Sequence, residues 1–397
     1  MKKKILYLFS VAVMANYSCQ KSLLSPTSET QVSNQDGQPF ATADRILAQV
    51  RGLYSTAKAG NFYGSRYMIY NEVRGENWLN RTGNGVTALQ TWNFSVNSGN
   101  QEVTGFWGAA YNTINYCNLF IEGMTQYGNA VVGSTTGNQY IGEARFVRAL
   151  SYYSLLQLYA RPYVDGNGSK PAVPLRLKGA SSFGNYDLAK SSTAQVYAQI
   201  IADLDAAETA LPASYADAAT TTTRAHKNTV IAFKTRVYLS MQQYDKVISE
   251  ANKIVPATGP TFAASANYAN AMQPDPATPF TNYITPESIF SFPFQGSTEV
   301  PGGQSQLGSY FNQAGSGEFY LNPAGIVANT DWKATDKRRI LVGTGTRGFT
   351  KKYATPSPYT DWAPVMRWPE VLLNLAEAKA RVWRRYSCAR CTGFSTA

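Results

Sequence analysis

One stretch constrains the fold more than any other: "TTTRAHKNTVIAFKTRVYLSMQQYDKVISEANKIVP", residues 221–256. Val230, Phe233, Val237 and Met241 recur at helical spacing, Gln242-Gln243 interrupts them, and Tyr244, Val247, Ile248, Ala251 and Ile254 resume the period up to Pro256. Apolar residues three and four apart form one stripe of a helix, so the segment reads as two helices joined by a tight turn. Helices joined so closely pack against each other. Such a pair still has apolar surface to bury and needs helical neighbours.

Those neighbours are legible. "ADRILAQVRGLYSTAK" puts Ile46, Val50 and Leu53 on one stripe, and "FWGAAYNTINYCNLFIEGM" repeats the pattern with Trp107, Tyr111, Ile114, Cys117 and Ile121. Residues Glu143 to Arg161 carry two apolar faces, Ala144-Val147-Ser151-Leu155-Leu158 and Phe146-Leu150-Tyr153, which predicts a scaffold helix buried on two sides. Val196, Ile200, Ile201, Leu204, Ala207 and Leu211 mark a further helix that Pro212 stops. The 221–256 pair resembles a tetratricopeptide unit, with its flanking pairs as degenerate repeats. The predicted fold is mainly α, a tetratricopeptide-like helical-repeat scaffold with long irregular loops and a few short strands.

Between about Pro256 and Pro364 the chain turns rich in Pro, Gly, Ser, Asn and Tyr, with only "SIFSFPF" and "GFTKKYAT" reading as short strands. Long loops inside a folded chain usually carry function. The chain as a whole has 13% aromatic against 15% charged residues, with 26 Tyr, so many rings end in a polar tip suited to a half-exposed recognition surface. An earlier loop, "RGENWLNRTGNGVTALQTWNF" at 74–94, supplies what a sugar needs: flat apolar faces for its C–H groups and amide or guanidinium donors at its edge. Trp78 and Trp92 are candidate platforms there, with Asn77 and Arg74 as edge donors; alternatively both indoles anchor the loop from beneath and Arg74 pairs with Glu72 or Glu76. The tyrosines of 283–320, Tyr310 and Tyr320 among them, are the second place to look.

The first residues give an address. "MKKKILYLFSVAVMANYSCQ" has three lysines, an apolar stretch from Ile5 to Ala15 and Ser18 before Cys19, the pattern of a secretory signal peptide too short to span a bilayer. Cys19 sits where a bacterial lipoprotein is cleaved and lipidated, and the polar, turn-rich residues behind it suit a tether. Of the formal charge of +11, three units come from Lys2, Lys3 and Lys4, and the rest is dispersed with no basic run, which argues against nucleic acid.

Catalytic signals are weak. His226 is the single histidine and is expected at a helix start, so a multi-histidine metal site is excluded; Cys388 and Cys391 form a lone CxxC without a second pair. Cys117 reads as a buried helical residue. A glycosidase needs two opposed carboxylates, one held protonated, but Glu72, Glu76, Glu143, Asp165, Asp331, Asp336 and Glu370 do not pair by spacing. Glu143 and Glu370 are expected to open helices. Phosphate-binding, dinucleotide and nucleophile-elbow motifs do not occur. No cofactor, metal or catalytic residue is assigned.

Several segments, in order, resemble the SusD/RagB family of Bacteroidetes outer-membrane nutrient-uptake lipoproteins: "NEVRGENW" at 71–78, "GEARFVRALSYYSLLQLYARPYV" from 142 with "AVPL" at 172–175, the 221–256 pair, "PESIFSFPF", "DKRR" at 336–339 and "APVMRWPEVLLNLAEAKAR" at 363–381. The resemblance implies a helical scaffold, a partner TonB-dependent transporter of the SusC type, and a loop-built ligand site on the exposed face. It organises the chain as signal peptide 1–18, lipidated Cys19 and tether 19–42, helical part 43–255, loop-rich part 256–381 and an Arg- and Cys-rich aberrant tail, 382–397, where family members usually continue. The function implied is non-enzymatic: a lipid-anchored protein, exposed at the surface of the outer membrane, captures an oligosaccharide and delivers it to the transporter. The alternative is a secreted or periplasmic helical-repeat adaptor for a peptide or protein.

Overall fold

The computed structural model describes residues 35–182, 184–256 and 269–392; Cys19, the signal segment and most of the tether lie outside them. Helix α1, Ala43–Ala57, starts where the Thr42 side chain accepts from Arg45 N (3.3 Å), and it buries Ile46, Val50, Leu53 and Ala57. Then follow α2 (Arg66–Val73), α3 (Gln101–Gly123), α4 (Ser134–Tyr159) and α5 (Thr193–Ala210). The pair read from the sequence is α6 (Lys227–Ser240) and α7 (Tyr244–Ala251), and the last helix is α8, Trp368–Thr392. Gln242 makes the α6–α7 turn with a left-handed backbone, φ 56°.

Helix α4 is the hub. It packs against α3, α5 and α1, while α6 packs against α5, α7 and α8. With neighbours all round, α4 is buried along most of its circumference from Gly142 to Leu156, which extends the two-faced reading. Its start differs from expectation. The helix begins at Ser134, so Glu143 lies mid-helix and fully buried, accepting from Arg224 Nε at 2.9 Å and from the Tyr54 hydroxyl. The carboxylate answers the half-buried Arg224 cation, not a helix dipole. Glu370 does sit in the first turn of α8, and Arg236 Nε also donates to it at 2.5 Å. A second buried pair joins three helices: Arg148 donates to both oxygens of Asp203 (2.9 and 2.6 Å) and to Asn118 Oδ1 (2.7 Å).

Two small antiparallel sheets among the described residues stitch the loops to this scaffold. β1 (Trp78–Asn80) pairs with β3 (Phe319–Leu321), Trp78 opposite Leu321; β2 (Ser288–Phe292) pairs with β4 (Ala363–Arg367), Ser288 opposite Arg367. β2 is the expected "SIFSF" strand. The expected strand at "GFTKKYAT" is reduced to bridges at Gly348 and Thr350, and β1, β3 and β4 were not foreseen. Because Ala363–Arg367 is committed to β2, the helix expected from Pro364 starts at Trp368. Helix α8 runs on through Arg381, leaving Leu373 and Trp383 each 69% exposed. No helix among the described residues is long and apolar enough to cross a membrane.

Candidate ligand-binding site

A cavity of about 570 Å³ opens where the edges of both sheets meet the 326–353 loops. Its apolar wall is built from Trp78, whose ring lies 4.6 Å from Phe311, and from Tyr353, 5.8 Å from Phe311 and 6.4 Å from Phe280. β1 presents Trp78, and two contacts hold it: its Nε1 donates to Glu72 Oε2 (3.3 Å) and its carbonyl accepts from Trp92 Nε1 (2.9 Å). The half-buried Trp332 lines the same cavity, with the Arg339 guanidinium 4.4 Å from its ring centre. A half-exposed indole held by a cation over its ring offers its remaining accessible surface for stacking.

Charged groups complete the lining. Asp336 caps the turn Lys337–Leu341, accepting from Arg338 N (2.9 Å) and from Arg338 Nε (3.0 Å). The Arg338 side chain therefore holds the Asp336 carboxyl well below the usual carboxylate range. Lys352 and Arg367 both reach the face of Phe280, at 5.3 and 5.0 Å from its centre. Burial lowers the pKa of Lys352, with the Arg367 charge acting in the same direction and Glu72 opposing. The carboxyls that burial raises, Glu143 and Asp361, do not line the cavity. The arrangement can stack a ring and hydrogen-bond its edges.

The residues expected from sequence fare unequally. Trp78 reaches the cavity but is only 9% exposed, and Trp92 braces it from behind. Asn77 holds the rim: its Oδ1 accepts from Ile326 N (2.8 Å), and Ile326 lines the cavity. Arg74 instead bonds Tyr70 O and Asn71 Oδ1 (3.1 and 3.2 Å) and lines a separate 190 Å³ cleft beside Phe94. Tyr320 faces Phe349 and Arg347 outside the lining. Tyr310 requires correction: it is a fully buried core residue whose hydroxyl donates to Gln304 O (2.9 Å), out of a ligand's reach. Sequence reading passed over Trp332, Lys352 and Arg367; the adjoining "DKRR" was the available signal.

A family model described as starch-binding and associating with outer membrane matches residues 26–239. The chain belongs to the SusD-like family. A SusD superfamily protein from Bacteroides fragilis is 30% identical, with a TM-score of 0.75, over 85% of this chain and 75% of that one. Two further solved members share the fold: surface glycan-binding protein A from Bacteroides uniformis (17% identity, TM-score 0.67, 86% of this chain and 77% of that one) and a laminarin-binding SusD-like protein (16%, 0.67, 85% and 80%). No curated sequence matches significantly. Membership explains the mainly helical scaffold with few short strands.

Proposed function

We propose that the chain is a non-enzymatic capture protein whose Trp78–Trp332 cavity binds an oligosaccharide. The observation that carries this reading is the half-exposed Trp332 set in an aromatic cavity with charged and amide groups at its edge. Family membership supports it, as do the glycan-binding relatives. In this reading the protein sits at the outer membrane through a lipid on Cys19, exposed at the surface, and passes its glycan to a SusC-like TonB-dependent transporter. The peptide-adaptor alternative needs an open groove beside α6 and α7, yet α5 and α8 pack there.

Calorimetric titration with a glycan panel tests capture. At least one oligosaccharide should bind, and Trp332→Ala should weaken it about tenfold or more without moving the melting temperature. Binding of no panel member, or full affinity in Trp332→Ala, would overturn the site. Palmitate labelling tests the anchor: wild type should take label and Cys19→Ser should not, and equal labelling refutes lipidation there.

A further inference from the structure

The cavity treats its cations unequally. Arg338 Nη2 lies 2.5 Å from Asp336 Oδ2, and Arg367 Nη1 lies 3.0 Å from Glu287 Oε1. Asp331, at the rim, is solvent-exposed and 4.0 Å from Lys333. Lys352 differs: among the described residues no carboxylate oxygen comes within the 4.0 Å of an ion pair, and no hydrogen bond from its Nζ is found. Glu72, the remaining acid of the lining, spends one oxygen on Trp78 Nε1.

At close range the Phe280 face, 5.3 Å away, stands over Lys352, and the Glu72 carboxylate, beyond ion-pair distance, offsets its burial only in part. A cation–π contact is weaker than the hydration an ammonium gives up on burial, so burial depresses its pKa. Three N–H donors are left facing a cavity of oligosaccharide size. A neutral hydroxyl would satisfy one of them. An anionic oxygen would do so with a bond about twice as strong and would place a counter-charge at ion-pair distance.

Resting on the glycan-capture reading above, we propose that the oligosaccharide taken by this cavity carries an acidic group, a carboxylate or sulfate, and that Lys352 is the residue selecting it. The group pairs with Lys352 Nζ while the sugar face lies on the aromatic wall. Arg367, already matched by Glu287, adds background positive potential.

The test is a binding panel of oligogalacturonates (carboxylate), carrageenan oligosaccharides (sulfate) and neutral malto-, laminari- and xylo-oligosaccharides, with wild type, Lys352→Gln and Lys352→Arg. Wild type should prefer an acidic arm, and which arm it prefers names the anion. Lys352→Gln should lose about tenfold or more for that arm, Lys352→Arg should keep most of it, and raising salt from about 0.05 to about 0.5 M should weaken it several-fold. Equal or better binding of neutral glycans, or unchanged acidic affinity in Lys352→Gln, overturns the selection while leaving glycan capture standing. Binding of no glycan in any arm removes both. Should Lys352→Gln fail to fold, an acidic affinity in wild type that ignores salt overturns the proposal.

Discussion

The helical scaffold and the cavity handle charge in opposite ways. In the scaffold three buried charges are answered by opposite charges: Glu143 by Arg224, Arg148 by Asp203 with Asn118 beside it, and Lys234 by Asp205, Glu208 and Glu250. In the cavity Lys352 has no carboxylate at ion-pair distance among the described residues, and Trp332 is half-exposed. Paired charges fix helices in register, whereas unpaired donors and open rings remain available to a ligand. Stability mutations and binding mutations should therefore separate by region.

The largest effect should follow from Arg148→Ala. It strands Asp203, 2% exposed, among α3, α4 and α5, and should cost about 3–5 kcal/mol by chemical denaturation. Arg148→Met combined with Asp203→Leu should recover much of that loss. If the single variant melts like wild type, the scaffold does not depend on its paired charges.

Trp78 lies on the boundary and sharpens the contrast. As a wall residue packed on Phe311, Trp78→Ala should destabilise by about 3 kcal/mol and weaken glycan binding together, whereas Trp332→Ala should affect binding alone. Loss of affinity at unchanged stability in Trp78→Ala would move it from the scaffold to the exposed platform.

Next comes acid sensitivity in the scaffold. His226, 4% exposed, begins α6 with Nδ1 2.8 Å from Thr229 Oγ1, and burial lowers its pKa from 6.5 to about 4. The unfolded chain then binds the proton more readily than the folded one. Stability is fully present above about pH 6.5 and falls as pH drops towards 4, by about 3 kcal/mol from this group. Unfolding curves of wild type and His226→Gln at pH 7 and 5 measure it: the wild type should lose more than the variant, and equal losses would refute it.

The smallest effect belongs to the α6–α7 turn. Gln242 holds φ 56°, a conformation that glycine adopts without steric cost. Gln242→Gly trades relief of that strain against extra unfolded-state entropy and should stabilise by about 0.5 kcal/mol, leaving glycan affinity unchanged. A drop in melting temperature would show that the glutamine side chain matters more than its backbone.

How much could be read in advance follows the same division. Stripes such as Val196-Ile200-Leu204 and Val230-Phe233-Val237 became α5 and α6 with those residues buried, and Cys117 proved buried in α3. Glu143 misled because its cationic partner, Arg224, is remote in sequence, and a carboxylate ahead of an apolar run looks like a helix start. Trp78 and Trp92 share one loop in the sequence and touch in the fold, but their division between wall and brace depends on Phe311 and Glu72.

The sequence by itself determined the helices, the two-sided burial of α4 and the family, because helical periodicity and ordered motifs are local properties carried by neighbouring residues. Tertiary structure alone decided the three-residue strands, since Trp78 meets Leu321 only after the intervening helices have folded back. It also decided that Tyr310 is core, that Trp332 stays half-open and that Lys352 has no ion-pair partner among the described residues. Exposure and charge pairing are set by whichever distant segment arrives alongside, and no local pattern encodes that arrival.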